Sequence, residues 1–399
     1  MDDLETQVAA LAADLVRIDS RSFVSNLAVA ERIEAELGGF EVERIDYVDP
    51  KGVAKRTLVA HRGGTGGAAF SGHMDTVPDT GWTDAPWSAR IDADGVMHGL
   101  GTTDMKGPVA AAILAARALP ASVPITLLIT TDEETTKEGA RLIAERSQLV
   151  RRAAPRGIVV VEPTAMGPVR GHRSHIQFTC VASGVQAHSS TGKGYNANWD
   201  LIPFMMEMKA VYERLRADPS LHDPDYDPPF SDFNPVIDNH GTAVNVTAPK
   251  ATATIKFRYS AKLDPAPVLD AVYAAAKRHR IAVSEAREGF PPELPADHPL
   301  VRLCAEASGL APRTAPYGTD ASELQAIAPC VVLGPGDIGV AHTPRECVRV
   351  RDLADSIPVL MRIAERIAGA NAGCQRARGR ISMGPGRGTG AIGTTGRQA

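Results

Sequence analysis

Residues 104–134 read DMKGPVAAAILAARALPASVPITLLITTDEE. The first half is alanine-rich and predicts a helix over 104–119. The second half predicts a buried strand over 124–130, continuously apolar and followed at once by the acids Asp132, Glu133 and Glu134. The same alternation extends outward in both directions. A first helix is predicted from Leu4, Val8, Leu11 and Leu15, and a second over 28–37, ended by Gly38-Gly39. Strands are predicted at 41–47, 57–61, 68–71 and 157–161, with a helix over 138–145. Strand and helix in turn predict an α/β layered domain with a mostly parallel central sheet.

The pattern changes near residue 174. Residues 174–185 predict a strand of mixed polarity, and 200–217 an amphipathic helix striped by Leu201, Phe204, Met208, Val211 and Leu215. The Pro- and Asp-rich stretch 218–241 reads as an excursion. Strands at 244–246, 251–259 and 281–287 and a helix over 265–279 complete an α+β module. Alternation then resumes with helices at 300–308 and 321–327, a strand at 330–333 and a last helix over 353–370. The economical organisation is one α/β domain in two parts, 1–173 and 290–373, interrupted by an inserted α+β module at 174–289. Residues 374–399 carry five arginines, seven glycines and no acid, and are expected to be disordered.

With 399 residues, 44% hydrophobic and 23% charged, the chain has the composition of a folded protein with two or three domains. No apolar run approaches the roughly 20 residues that span a bilayer, so no membrane partner is expected. The net charge is −4, and the arginine-rich tail masks a body of −9, which makes nucleic acid a poor partner. The amino terminus is acidic where an export signal is basic, and five scattered cysteines form no C-x-x-C. A cytoplasmic location follows as the expectation.

Five segments place a carboxylate or histidine at or near a strand end: His73-Met74-Asp75, the loop 99–107 with Asp104, Asp132-Glu133-Glu134, Glu162-Pro163-Thr164, and His342-Thr343-Pro344. Open α/β sheets gather their ligands at carboxyl ends of strands. His73 and Asp75, two positions apart, share a face, and a carboxylate commonly orients a metal-binding imidazole. Three consecutive acids repel one another unless a cation relieves them. Each segment also has a plainer reading: a turn Asp beside a lone His, Asp104 capping a helix, an acidic surface loop. The GPGDIG stretch at 334–339 matches a nucleotide-loop spacing but leads into His342-Thr343-Pro344 rather than a helix, which argues against nucleotide binding.

SGHMDTVP, GLGTTDMKGPVAA, TTDEE, VVVEPT and GVAHTP, in this order, resemble the di-zinc metallopeptidases and deacylases related to acetylornithine deacetylase, over about residues 5–370. The resemblance implies two Zn²⁺ per chain, with Co²⁺ or Mn²⁺ able to substitute. His73 and Glu162 would hold one ion, Glu134 and His342 the other, and Asp104 would bridge both. It implies Asp75 as the partner of His73 and Glu133 as general base. The inserted module resembles the family's lid and dimerisation domain, which implies a homodimer, with His188 reaching the partner's site and Asn245 and Arg258 contacting substrate. Gly318 and Thr319 lie in a segment resembling the substrate loop. The implied activity is hydrolysis of an N-acyl amino acid, foremost N-acetyl-L-ornithine, whose amine could meet Asp320 or Glu323. Succinyl-diaminopimelate desuccinylase, dipeptidase or carboxypeptidase activity is the alternative within the family, and a non-catalytic metal-binding protein the alternative outside it. Lys256 departs from the resemblance, standing where an Asp often precedes the lid arginine by two positions.

Overall fold

Four parallel strands carry the site. The computed structural model describes residues 3–381, and the side chains of residues 3–369. Its main sheet has eight strands, in the order 41–48, 54–62, 125–130, 68–73, 157–163, 330–334, 169–172 and 313–315. Strands Ile125–Thr130, Ala68–His73, Gly157–Pro163 and Cys330–Gly334 run parallel, so their carboxyl ends share one edge. His73 pairs with Thr130, and Ser71 with Val160.

These strands are buried on both faces, which is why they read as unbroken apolar runs. Phe70, Leu127, Val159 and Val161 point into a core closed by helices Asp3–Val16, Lys106–Ala118, Pro299–Ser308 and Val350–Ile381. The alternate residues Ala69, Leu128, Ile158 and Val160 point into a second core under helices Glu138–Arg146, Gln148–Ala153 and Ala321–Leu324. The expected α/β layered fold is what the chain forms.

A second sheet, in the order 232–238, 250–259, 174–183 and 282–287, is antiparallel throughout. One face packs Ile176, Phe178, Ile255 and Phe257 against helices Asn198–Ala217 and Ala266–Arg278. The other face presents His175, Gln177, Lys256 and Arg258. Arg173 alone separates the last residue of a main-sheet strand, His172, from the first of the second sheet, Ser174. A small third sheet joins Arg90–Ile91, Val96–His98 and Cys347–Arg349.

Several local expectations are corrected. The supposed excursion 218–241 contains the edge strand Asp232–Asp238, whereas 244–246 contributes only an isolated bridge at Val246. The helix predicted from Asp104 begins at Lys106, preceded by Met105, so Asp104 does not cap it. The last helix runs Val350–Ile381, overlapping the predicted tail at 374–381, and the rest of that tail lies outside the described residues.

Candidate active site

The parallel strand ends bring His73, the acids after Thr130, and Glu162 to one place. The Asp104 loop and His342 close over it. Asp104 turns one carboxylate oxygen to His73 Nε2 at 3.0 Å and the other to His342 Nε2 at 3.1 Å. Glu162 lies 3.6 Å from His73 Nε2, and Glu134 3.0 Å from His342 Nε2. Two sets of donor atoms have all members within 4.8 Å of one another: His73, Glu133 and Glu162, and His73, Asp104 and Glu134. All five expected ligand residues therefore meet, with Glu133 beside them.

The electrostatics show what such a site favours. Four carboxylates crowd a largely buried space around His73, and the more exposed His342 borders it. Burial, then the Asp104 charge, pushes Glu134 up to about 7 and Glu162 well above its usual range. Hydrogen bonds that His342 donates to Asp104 and Glu134 raise it to about 11. Burial also raises Glu133, opposed by the ammonium of Lys137 3.6 Å away, and Oε1 of Glu133 is buried with no hydrogen-bond partner among the described residues. Such a surplus of acceptors suits divalent cations. Imidazole and carboxylate donors without thiolate match zinc and its first-row neighbours.

Asp75 does more than the sequence suggested, and by a different route. The Nδ1 of His73 donates to the backbone carbonyl of Asp75 at 2.9 Å, while the carboxylate is 3.6 Å from it. That carboxylate accepts from the backbone N–H groups of Glu133 at 3.2 Å and Glu134 at 3.4 Å, and from Ser22 Oγ at 2.8 Å. Asp75 thus fixes the histidine and the acidic pair together.

Other positioning groups carry little sequence signal. Glu346, four residues beyond His342, accepts from the backbone N–H groups of Gly101, Thr103 and Asp104 at 2.9–3.0 Å and so shapes the Asp104 loop. Asp132, read as one of three repelling acids, is paired with buried Lys55 at 2.8 Å and accepts from Tyr47. Lys137 also lies 3.1 Å from Glu288, which in turn pairs with His175 of the second sheet. This chain of charges joins Glu133 to the inserted module.

The remaining predicted residues are not part of that ligand cluster. Thr319 is buried, and its hydroxyl pairs with His172 Nε2 at 2.9 Å. Gly318 packs so closely that a Cβ would lie 3.0 Å from both Lys137 Nζ and the Arg173 carbonyl. Arg258 pairs with Asp232 at 3.1 Å across the edge of the second sheet. His188 and Asn245 are exposed neighbours, linked by the Ser189 N–H donating to the Asn245 carbonyl at 2.9 Å. They lie beyond the far end of the second sheet, and His188 makes no contact with the metal-type cluster among the described residues.

The sequence pattern of Peptidase family M20/M25/M40 matches residues 69–366, a span that takes in all five ligand-type residues. The chain belongs to that family. M20 enzymes are metallopeptidases and amidohydrolases, and this chain carries a metal-type cluster to match. A curated relative, the acetylornithine deacetylase of Myxococcus xanthus, is 32% identical over 387 residues, covering 92% of this chain and all of that protein. Among solved M20-like structures, the di-peptidase Dug1p of Saccharomyces cerevisiae superposes with TM-score 0.71 at 15% identity, covering 92% of this chain and 97% of that one. The YXEP protein of Bacillus subtilis, described as a dinuclear metal binding peptidase of the M20 family, superposes with TM-score 0.61 at 16% identity, covering 92% of this chain and 99% of that one. Among the described residues, no helix is long and apolar enough to cross a membrane.

Proposed function

We propose that this M20 member hydrolyses the amide bond of an N-acyl α-amino acid, releasing a carboxylic acid and a free amino acid. The observation that carries this reading is Glu133: a buried carboxylate with one unpartnered oxygen, set beside a cluster of five ligand-type residues. Two Zn²⁺ per chain fit the donor set, with Co²⁺ or Mn²⁺ as substitutes. His73 and Glu162 would hold one, Glu134 and His342 the other, and Asp104, facing both imidazoles, would be shared. Such ions supply Lewis acidity that makes a water proton removable near neutral pH.

Glu133 takes that proton as the water oxygen adds to the amide carbonyl carbon, and delivers it to the leaving nitrogen as the C–N bond breaks. Lys137 keeps Glu133 in place. Arg258, whose planar fork suits a carboxylate, holds the α-carboxylate of the substrate, and the Gly318–Thr319 turn borders the same space. His188 and Asn245 act across a homodimer, His188 stabilising the carbonyl oxygen as charge develops in the partner's site. The ten-residue strand Ser174–Ser183 spans about 33 Å, too far for His188 to return to its own chain's cluster. Exposed Trp199, Ile202 and Met206 on one helix, with Val236 and Ile237 on the edge strand, supply an apolar surface for that dimer. The units are residues 1–173 with 290–373, and 174–289. The cytoplasm suits the four described cysteines, all free.

N-acetyl-L-ornithine is the substrate that the curated relatives' names favour. Of the acids expected to receive its amine, Asp320 accepts from Thr130 at one oxygen and keeps the other unpartnered among the described residues, and Glu323 accepts from the Gly289 N–H. The test is an amine-release assay with Zn²⁺ or Co²⁺ over N-acetyl amino acids, N-succinyl-diaminopimelate and dipeptides. N-acyl amino acids should be cleaved at least about tenfold more efficiently than dipeptides. The reverse order would make the chain a peptidase.

A further inference from the structure

Lys256 lies on the face of the inserted sheet that meets the catalytic end. Its neighbours in the strand, Ile255 and Phe257, are fully buried in the module's own core, so alternation turns Lys256 and Arg258 the other way. Across the ladder, Arg258 pairs with His175 and Lys256 with Gln177. His175 contacts Glu288, Glu288 contacts Lys137, and Lys137 contacts Glu133. That chain of contacts fixes which way the face looks. Lys256 is therefore a diagonal neighbour of His175 over the reacting groups.

Lys256 is half-buried and has no carboxylate or hydrogen-bond partner for its ammonium among the described residues. Its cross-strand neighbours, Gln177 and Asn234, are neutral. The charged groups around it are Arg258, Lys137, Glu288 and Glu133. Glu288 gives one oxygen to His175 and Lys137 and keeps the other buried and unpartnered among the described residues, and Glu133 lies beside Lys137; neither acid bonds to Lys256. Burial, then Arg258, pushes the Lys256 ammonium down from its usual range. A cation held this way costs stability unless a bound anion compensates it.

We propose that Lys256 anchors an anion subsite, so that the substrate carries a second carboxylate besides the α-carboxylate given to Arg258. This rests on the deacylase reading above and narrows its substrate class. The second carboxylate sits either on the side chain of the leaving amino acid or on the acyl group, and the two are separable. A cationic side chain such as that of ornithine would be repelled from the same place.

The experiment uses the full chain with Zn²⁺ and four substrates: N-acetyl-L-ornithine, N-acetyl-L-methionine, N-acetyl-L-glutamate and N-succinyl-L-methionine. One of the last two should exceed the first two by about tenfold or more in kcat/KM, and which one tells where the second carboxylate lies. Lys256→Met should cost about ten- to hundredfold on that substrate, chiefly in KM, and less than about threefold on N-acetyl-L-methionine. Lys256→Asp should move preference toward N-acetyl-L-ornithine. Calorimetry in the Glu133→Gln background separates this proposal from the deacylase reading. There, N-acetyl-L-glutamate or N-succinyl-L-methionine should bind more tightly than N-acetyl-L-methionine, and Lys256→Met should abolish the difference. Cleavage of none of the four overturns the deacylase reading. Equal binding of all ligands, an equal loss on all substrates, or preference for N-acetyl-L-ornithine by the unmodified chain overturns the anion subsite.

Discussion

The carboxylate of Asp75 accepts the backbone N–H of Glu133 at 3.2 Å, tying the His73 turn to the acidic loop 58 residues away in sequence. Asp75 is fully buried, so this bond is made without competition from water. An asparagine there keeps the shape but offers one acceptor oxygen instead of two, and sets an amide N–H against a backbone donor. Asp75→Asn should lower metal affinity or kcat by about 10–100-fold while leaving the fold intact by circular dichroism. Unchanged activity and metal content would mean that the loop holds its shape without Asp75.

Glu133 and Glu134 are adjacent in sequence and differ in surroundings. Glu134 bonds to His342, whereas Glu133 has its buried Oε1 3.6 Å from the Lys137 ammonium and makes no hydrogen bond there among the described residues. Glu133→Gln should keep both metals and lose about 10²–10⁴-fold in kcat. Glu134→Gln should lose metal first, with activity partly restored by excess Zn²⁺. Metal analysis of the two purified variants distinguishes them, and loss of metal from Glu133→Gln would make Glu133 a ligand.

Lys55 and Asp132 form an ion pair shut away from solvent, and Lys55 also donates to the carbonyls of Ser22 and Val24. Removing the cation leaves Asp132 buried without its charge partner. Lys55→Met should destabilise the protein by about 3–5 kcal/mol in denaturant unfolding. By contrast Arg351→Ala, which removes an exposed helical pair with Asp355, should change it by less than about 0.5 kcal/mol. Equal effects would show that the buried pair is no more important than the surface one.

If His188 works across a dimer, a His188→Ala chain mixed with a Glu133→Gln chain should regain activity. One of the two sites in each heterodimer then has both groups. Absence of rescue after proven subunit exchange would confine His188 to its own chain or remove it from catalysis.

The parallel strands were legible because burial on both faces makes Ile125–Thr130 and Gly157–Pro163 unbroken apolar runs. His73, Glu134 and Glu162 were legible because each stands at or soon after the end of such a run, whereas Asp104 and His342 were legible only through the motifs around them. Strand Asp232–Asp238 was hidden because it is an edge strand: only Phe233 is buried, it contains Pro235, and Val236 and Ile237 are exposed. Glu346, Lys137 and Lys55 were missed for a different reason. Each acts through single contacts with segments distant in sequence or through one neighbouring charge, which leaves no periodicity to read. The direction of Lys256 likewise became visible only when its neighbours Ile255 and Phe257 were seen buried in the module's core.

The proposed metal site is built by His73, Asp104, Glu134, Glu162 and His342. The most direct measurement is stepwise Zn²⁺ titration of chelator-stripped protein, following bound metal and amide hydrolysis together. Activity should be absent at the start and rise to a plateau by two equivalents per chain. His342→Ala should retain one site and weaken the other. Full hydrolysis by the stripped protein, or a plateau with no bound metal, would contradict the account.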